Sequence, residues 1–293
     1  MVRDSKGNPV DNLTIDDFQL SDNGKPQLIS KFSIERLEKT PPPGDAAAIP
    51  TRFVAYLFDD VHMTPRDLIE TRDAVTRRID AASDPRQRIA IYSTSGITLQ
   101  DFTADKSQLH AALSSLHIGP AGGFTSLYQD ECPSMTYYEA HLVYNDRDQD
   151  AIALANADAT ACGATPDELE RVVQDRAREV LTQGDRTTQA SLDAIRNVTA
   201  RLASMLGKRT IVLISPRLVL LNNSRDQQTS IIDGAIHANV VIGALDRNDV
   251  SEHEPQAAAG EIVTNTAVLS KKLEYAEDEA SISSSVVESI AEG

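Results

Sequence analysis

Two adjacent carboxylates, Asp59 and Asp60, are the residues of this chain whose position best suits a binding site. They directly follow the apolar run at residues 53–58, and Pro65 then opens a helical pattern. Such a run predicts a buried strand of a parallel sheet, and ligands of these sheets collect at the carboxyl ends of the strands. Asp59 and Asp60 therefore lie where a cation or a polar partner would be held.

Two further segments are expected at the same edge of the sheet. Residues 122–128 are a glycine-rich loop that carries hydroxyls, and residues 210–216 form a second apolar strand that ends in a polar turn. Together with the two carboxylates, these segments indicate a binding module rather than an enzyme.

Alternating strands and helices must position these segments. Apolar runs of strand length occur at residues 53–58, 88–93, 210–215 and 239–245, and helical patterns occupy residues 65–82, 105–116 and 230–238. A long helical stretch from Pro166 to Gly207 is expected to break or bend near Gly184. The alternation predicts an α/β fold with a doubly wound, mostly parallel sheet, whose apolar strands are buried on both faces.

Differences in composition along the chain predict four regions. Residues 1–40 form a small N-terminal β unit, in which Asp22-Asn-Gly24 predicts a hairpin and residues 27–34 alternate as a strand does, and the proline-rich residues 41–50 form a linker. The α/β domain takes residues 51–250, with an irregular insertion at 119–165. Residues 251–293 form a C-terminal segment that is weakly periodic at 263–273 and is expected to end in a helix at 283–291. Because a sheet of this kind normally gains one more strand after such a helix, we expect the chain to be truncated there.

Two cysteines, Cys132 and Cys162, bracket the polar part of the insertion. A disulfide between them would close a loop with a chain-entropy value of about 3–4 kcal/mol, useful to an insertion with few apolar anchors. The alternatives are two unpaired thiols or a metal site completed by His141. We predict the disulfide, because two cysteines alone cannot form a four-ligand zinc site and no nearby base would activate a thiol.

The composition also limits the partners. The chain has 293 residues, 41% of them hydrophobic, and a formal net charge of −16. Nucleic acid and anionic membranes would be repelled by this surface, so the predicted partner is a protein and not a nucleic acid. No apolar run approaches the roughly 20 residues that span a bilayer, which predicts no membrane insertion. An export signal would have to precede Met1.

Four segments carry a resemblance to a known family. They are residues 13–32, Tyr138-Glu-Ala140, residues 207–216 and residues 238–246. Together they resemble the von Willebrand factor type A superfamily, and specifically the VWFA-related proteins of the acidobacterial type. The resemblance implies a von Willebrand A-like, Rossmann-like fold and a protein-binding role.

The resemblance also implies a metal-ion-dependent adhesion site. In that site Mg²⁺ is held by an aspartate and two serines after the first strand, a threonine in a later loop and an aspartate after the fourth strand, because Mg²⁺ prefers hard oxygen ligands. Asp59 matches the first aspartate and Thr125 matches the threonine. Asp59, Asp60 and Thr125 are accordingly the candidate metal ligands, and we expect them to lie within reach of one another.

The chain departs from the adhesion-site pattern at the other positions. Val61 and Met63 stand at the two serine positions, and Pro216 stands at the last aspartate. Reading from Asp60 instead places His62 and Thr64 at the serine positions. Because few oxygen ligands remain, we expect no cofactor, or weak Mg²⁺ binding.

The two carboxylates are also expected to serve different roles. Adjacent side chains that leave a strand point to opposite sides, so at most one of Asp59 and Asp60 is expected to reach a shared cation. The other would cap the following helix or pair with an arginine.

The sequence thus predicts a non-catalytic protein-interaction module, secreted or periplasmic, with a degenerate adhesion site. The first alternative is an adhesion domain with a working Mg²⁺ site. A hydrolase that uses Asp59 and His62 is a more distant alternative, because the chain has no recognisable nucleophile or oxyanion-hole motif. The hydroxyls of Ser93-Thr-Ser-Gly96 are expected to bond to the backbone of a turn.

Overall fold

The structure is a computed structural model of the chain, and it describes residues 10, 13–22, 24–29, 50–96, 98–119, 132–221, 225–245 and 266–292. The chain divides into two compact units, Met1–Ala47 and Ala48–Gly293. The loop at 122–128 and nearly all of the linker at 41–50 lie outside the described residues.

In the first unit, the described residues contain a β-hairpin. β1 (Leu20–Asp22) pairs antiparallel with β2 (Lys25–Gln27). Gly24 in the turn has φ +76°, a left-handed conformation that glycine adopts without a steric penalty. The hairpin lies where the Asp22-Asn-Gly24 pattern predicts it, although β2 ends at the residue where the predicted strand begins.

The described part of the second unit contains one sheet of five strands. The strands are β3 (Arg52–Phe58), β4 (Gln87–Ser93), β5 (Thr98–Thr103), β6 (Lys208–Ile214) and β7 (Val240–Ala244). Their order is β5-β4-β3-β6-β7, with β5 antiparallel to β4 and the other pairs parallel. This is the order of a doubly wound, Rossmann-like sheet. The predicted fold class is confirmed, and the four apolar runs are neighbours as expected.

The second unit contains seven described α-helices, some of which cover the two faces of the sheet. They are α1 (Pro65–Ala81), α2 (Lys106–Ser115), α3 (Tyr137–His141), α4 (Gln149–Ala161), α5 (Leu169–Ala203), α6 (Arg225–Ala238) and α7 (Thr266–Glu292). α1 and α2 pack on the face that carries Val54 and Phe58. α5, α6 and the C-terminal end of α7 pack on the opposite face, which carries Ala55 and Leu57.

Burial differs between the centre and the edge of the sheet. Leu57 in β3 and Ile91 in β4 are both 0% exposed, whereas Val241 in β7 is 63% exposed. The prediction that all four apolar strands are buried on both faces is therefore wrong for β7. Among the described residues β7 ends the sheet, and Val241 points away from the face that α6 and α7 cover.

The insertion is helical where the structure describes it, although the sequence predicts an irregular segment. α3 continues into a π-helical turn (Leu142–Asp146), and α4 follows the left-handed residue Arg147. These helices pack on α5 through a separate buried cluster that includes Tyr137, Val143, Leu154 and Val173. α4 is rich in alanine and shows little hydrophobic periodicity, which explains why its sequence pattern is weak.

α5 and α7 are both more continuous than the sequence indicates. α5 is helical through Gly184, where a break or bend is predicted. A Cβ at position 184 would overlap the ring of Tyr137, so this glycine serves the close packing of α3 on α5. α7 is continuous over 27 residues, whereas the pattern at 283–291 marks only its last turns.

Candidate functional site

Asp59 lies directly after β3 and is 0% exposed. Its backbone N–H donates to the Ile214 carbonyl at 2.9 Å, which continues the pairing with β6 by one residue. Four side chains contact its carboxylate. They are Thr94 (3.0 Å) and Ser191 (2.7 Å) at Oδ1, and His62 Nδ1 (2.9 Å) and Ser215 at Oδ2.

The partners of Asp59 come from distant parts of the chain. Thr94 follows β4 and Ser215 follows β6, and these strands flank β3. Parallel strands end at the same edge of a sheet, so the fold brings both hydroxyls to Asp59. Ser191 reaches the same carboxylate from the middle of α5.

Sequence reasoning missed three of these partners. Thr94 and Ser215 each follow a strand directly. Their position at strand ends is a sequence feature from which they could have been predicted. Pro216, which aligns with the last adhesion-site aspartate, stands beside the residue that makes the contact. Ser191 lies within a helix, and no feature of the sequence marks it.

Asp60 is 1% exposed and contacts one of these hydroxyls, that of Thr94. Its Oδ1 accepts from Thr94 Oγ1 and from the Ser95 backbone N–H, each at 2.9 Å, and its Oδ2 accepts from Ser95 Oγ at 2.5 Å. Asp59 and Asp60 therefore share the Thr94 hydroxyl, and the prediction that they point to opposite sides is wrong. β3 ends at Phe58, so strand alternation does not extend to Asp60, which lies in a turn.

The turn after β4 supplies hydroxyls to carboxylates. Thr94 and Ser95 donate to Asp59 and Asp60, and Ser93 Oγ lies 3.0 Å from Ser95 Oγ. The prediction that these hydroxyls bond to the backbone is therefore wrong. Two buried carboxylates need donors, and this turn is the neighbouring source of them.

The acceptor positions of Asp59 are filled by the protein itself. Burial raises the pKa of Asp59, but the charge of His62 and hydrogen bonds from His62, Ser215 and Ser191 outweigh it and hold the pKa below its ordinary value. Asp59 is therefore ionised at neutral pH. A carboxylate offers about four lone-pair sites, and four side chains face Asp59.

These residues do not fit the Mg²⁺ site that the resemblance implies. Such a site needs free oxygen ligands and an open position for the partner, whereas Asp59 and Asp60 are 0% and 1% exposed and already have protein donors. Val61 and Met63 belong to the core. In the ranges that the structure covers, no group of three or more His, Cys, Asp and Glu residues is arranged to hold a metal ion.

The other candidate ligands are accounted for as follows. Thr64 caps α1 and forms a reciprocal capping box with Asp67, so it does not face the carboxylate pair. Thr125 lies outside the described residues, and its predicted proximity to Asp59 and Asp60 stays a prediction.

Ser191, His62 and Asp59 are the residue types of a hydrolytic triad, but their geometry differs from one. In a triad, one ring nitrogen of the histidine faces the acid and the other faces the serine. Here Ser191 Oγ lies 3.3 Å from Nδ1, the same nitrogen that lies 2.9 Å from Asp59, and Ser191 donates to Asp59 at 2.7 Å. The second ring nitrogen of His62, which would be the base of a triad, is therefore not the one near Ser191.

Cys132 and Cys162 form the predicted disulfide, with a Cα–Cα distance of 6.1 Å. Both residues are exposed. His141 is not part of this arrangement, because its Nδ1 lies 2.9 Å from Asn145 and its Nε2 lies 3.6 Å from Asp146. The bond holds α4 to the segment that leads into α3.

Comparison with known proteins adds no evidence on the function of the chain. No family model matches the chain, and no curated protein matches it. Among solved structures, the chain is similar to an aerotolerance-related membrane protein from Bacteroides fragilis with multiple mutations to serine. The identity is 10% and the TM-score 0.32, over 83% of this chain and 100% of that one. A similarity this distant says nothing about ligand or activity.

Proposed function

We propose that this chain is a protein-interaction module of von Willebrand A-like type, in which protein hydroxyls and His62 take the place of a cation. The observation that carries the proposal is the complete enclosure of Asp59 by Thr94, Ser191, Ser215 and His62. A carboxylate in this setting holds four segments of the fold together. Partner binding is then independent of divalent cations.

The proposal places the module outside the cytoplasm, secreted or periplasmic. The exposed Cys132–Cys162 disulfide supports this location, because such bonds persist in oxidising compartments. A protein partner fits the charge of the chain, −16, better than nucleic acid does. None of the described helices is long and apolar enough to span a membrane.

The alternative is an adhesion domain with a working Mg²⁺ site. The oxygen atoms around Asp59 and Asp60 favour it, because hydroxyls and carboxylates are ligands that Mg²⁺ accepts. For a cation to enter, Ser191 and Ser215 would have to exchange their hydrogen bonds to Asp59 for metal coordination. Calorimetric titration with Mg²⁺ and Mn²⁺ separates the two functions.

In that titration, we expect affinities of about 1 mM or weaker for wild type. Asp59→Asn should bind Mg²⁺ no differently from wild type, and so should Asp73→Asn, which alters an exposed carboxylate on α1. A micromolar affinity lost in Asp59→Asn and kept in Asp73→Asn would establish the adhesion alternative. The proposal would also be contradicted if the chain captured an envelope protein and a chelator abolished that binding.

A catalytic role is tested separately. We propose that the chain has no hydrolase activity, because Ser191 is 0% exposed and donates its proton to Asp59 instead of to a histidine placed as in a triad. A screen with ester, amide and phosphate substrates should give no turnover above buffer. Turnover that is lost in Ser191→Ala would contradict this part of the proposal.

A further inference from the structure

α7 is held by two different kinds of contact along its length. Its inward residues recur every three or four positions. They are Lys272, Tyr275, Glu279, Ser283, Val286 and Ile290. The C-terminal half inserts Val286 and Ile290 into the main core, whereas the N-terminal half presents ionisable groups to the insertion.

Glu139 on α3 is the buried carboxyl of this junction, at 7% exposure. It accepts from the Thr136 backbone N–H at 2.7 Å in the capping box of α3. It also lines a small cavity whose other walls are mostly apolar. They are formed by Ser134, Met135, Val143, Ala151, Leu154, Ala155 and Tyr275. Burial in this setting raises the pKa of Glu139 to about 7.

Glu279 on α7 is the second carboxyl. It is one helical turn from Tyr275, whose ring packs edge-to-face on Tyr138 with centroids 6.5 Å apart. Glu279 accepts a hydrogen bond from the Thr136 side chain, so both glutamates use the residue that caps α3. Burial raises the pKa of Glu279, and Thr136, Arg217 and His62 oppose that rise. The charge of Glu279 in turn disfavours ionisation of Glu139.

The other charged groups around the junction do not neutralise both glutamates. From α7, Lys272 faces Asp158 of α4 at 2.6 Å, and Lys271 is 3.8 Å from Asp150. The Tyr275 hydroxyl donates to Asp148 at 3.3 Å. From the sheet edge, Arg217 and His62 act on Glu279, and Arg217 also lies 3.6 Å from Asp67. The charge of Lys272 opposes the rise in the pKa of Glu139, whereas Asp158, which Lys272 faces, favours it.

We propose that this junction is a pH-dependent latch, closed while Glu139 and Glu279 together carry fewer than two negative charges and opened along the first half of α7 when both ionise. The second half of α7 stays docked, because its contacts are apolar. The inference does not rest on the proposed function, since its test changes neither Asp59 nor a partner, although His62 faces both Asp59 and Glu279.

Amide hydrogen exchange read by mass spectrometry tests the latch in the full chain. After correction for the intrinsic pH dependence of exchange, protection of residues 266–282 and of α3 should fall about tenfold between about pH 6 and about pH 8. Protection of residues 283–292 should not change. In Glu139→Gln the protection should be the same at both pH values, because glutamine keeps the capping bond without a charge.

Two further variants decide the result. Glu279→Gln removes the second charge, so the fall in protection should be smaller than in wild type. Glu288→Gln, an exposed position on the same helix, should behave as wild type. The latch is wrong if wild-type protection of residues 266–282 is independent of pH. It is equally wrong if both Glu139→Gln and Glu279→Gln keep the full wild-type fall.

Discussion

The ring of Tyr137 on α3 occupies the space that a side chain at Gly184 on α5 would fill. This contact joins the insertion to the longest helix of the described chain, and the Tyr137 hydroxyl donates to Asp185 at 2.5 Å beside it. Glycine within a helix costs about 1 kcal/mol relative to alanine. Close packing of α3 on α5 is what retains the glycine.

The first prediction follows from this contact. Gly184→Ala should lower the free energy of unfolding by about 1–3 kcal/mol, because overpacking against Tyr137 outweighs the gain in helix propensity. Gly234→Ala is the matched control, since a Cβ at this position on α6 meets nothing within 4 Å. It should leave stability unchanged or raise it by up to about 1 kcal/mol. Urea unfolding followed by circular dichroism measures both, and equal effects at the two sites would refute the packing role of Gly184.

The second prediction concerns the buried carboxylate at the sheet edge. Asp59→Asn should lower the free energy of unfolding by about 3 kcal/mol. It removes the negative charge that His62 and three hydroxyls contact, and these buried groups lose their charged partner. Asp73→Asn, on the exposed face of α1, should change stability by less than about 0.5 kcal/mol. Urea midpoints at neutral pH are the measurement. If the two variants proved equally stable, the network would not hold the fold together.

The third prediction is the acid dependence of the same group. The folded pKa of Asp59 lies below its ordinary value of 3.8. Its contribution to stability is therefore complete above 3.8 and is lost as the pH falls through the folded value. Unfolding at a series of acidic pH values should show a smaller loss of stability in Asp59→Asn than in wild type. A parallel loss in both proteins would contradict the depressed pKa.

The fourth prediction is that Glu139 lowers stability as the pH rises, which is the opposite of the effect of Asp59. The folded pKa of Glu139 is raised from 4.5 to about 7, so the folded state binds its proton more tightly than the unfolded state does. Stability should be highest below the unfolded value and fall as the pH rises through the folded one, by about 3 kcal/mol in total. Glu139→Gln should remove this fall, and Glu288→Gln should keep it. The free energy of unfolding across this pH range, from urea titrations, decides between them.

The fifth prediction concerns the disulfide. Titration of denatured, unreduced protein should find almost no free thiol, because Cys132 and Cys162 are bonded. Replacement of both by serine should destabilise the insertion by about 3 kcal/mol, since the loop between them regains its freedom in the unfolded state. Hydrogen exchange in α4 reports the effect. Two reactive thiols in protein made under oxidising conditions would show the bond to be absent.

The sheet was predictable because its strands are marked locally. Each of β3, β4, β6 and β7 is a short apolar run, and a run of that kind is stable only between layers of helix. The helices of the insertion were not predictable in this way. α4 is rich in alanine, so its sequence does not show which face is buried. That face is defined only by packing against α5 and α7.

The sequence by itself determined the α/β class and the placement of Asp59 and Asp60 at a strand end, and it predicted the Cys132–Cys162 disulfide over two free thiols. Each of these depends on local pattern or on a count of residue types. Only the tertiary structure decided what the carboxylates contact, because Ser191 reaches Asp59 from 132 positions away along the chain. Hydrogen bonds between distant residues depend on how helices and strands pack, and no local pattern records that packing.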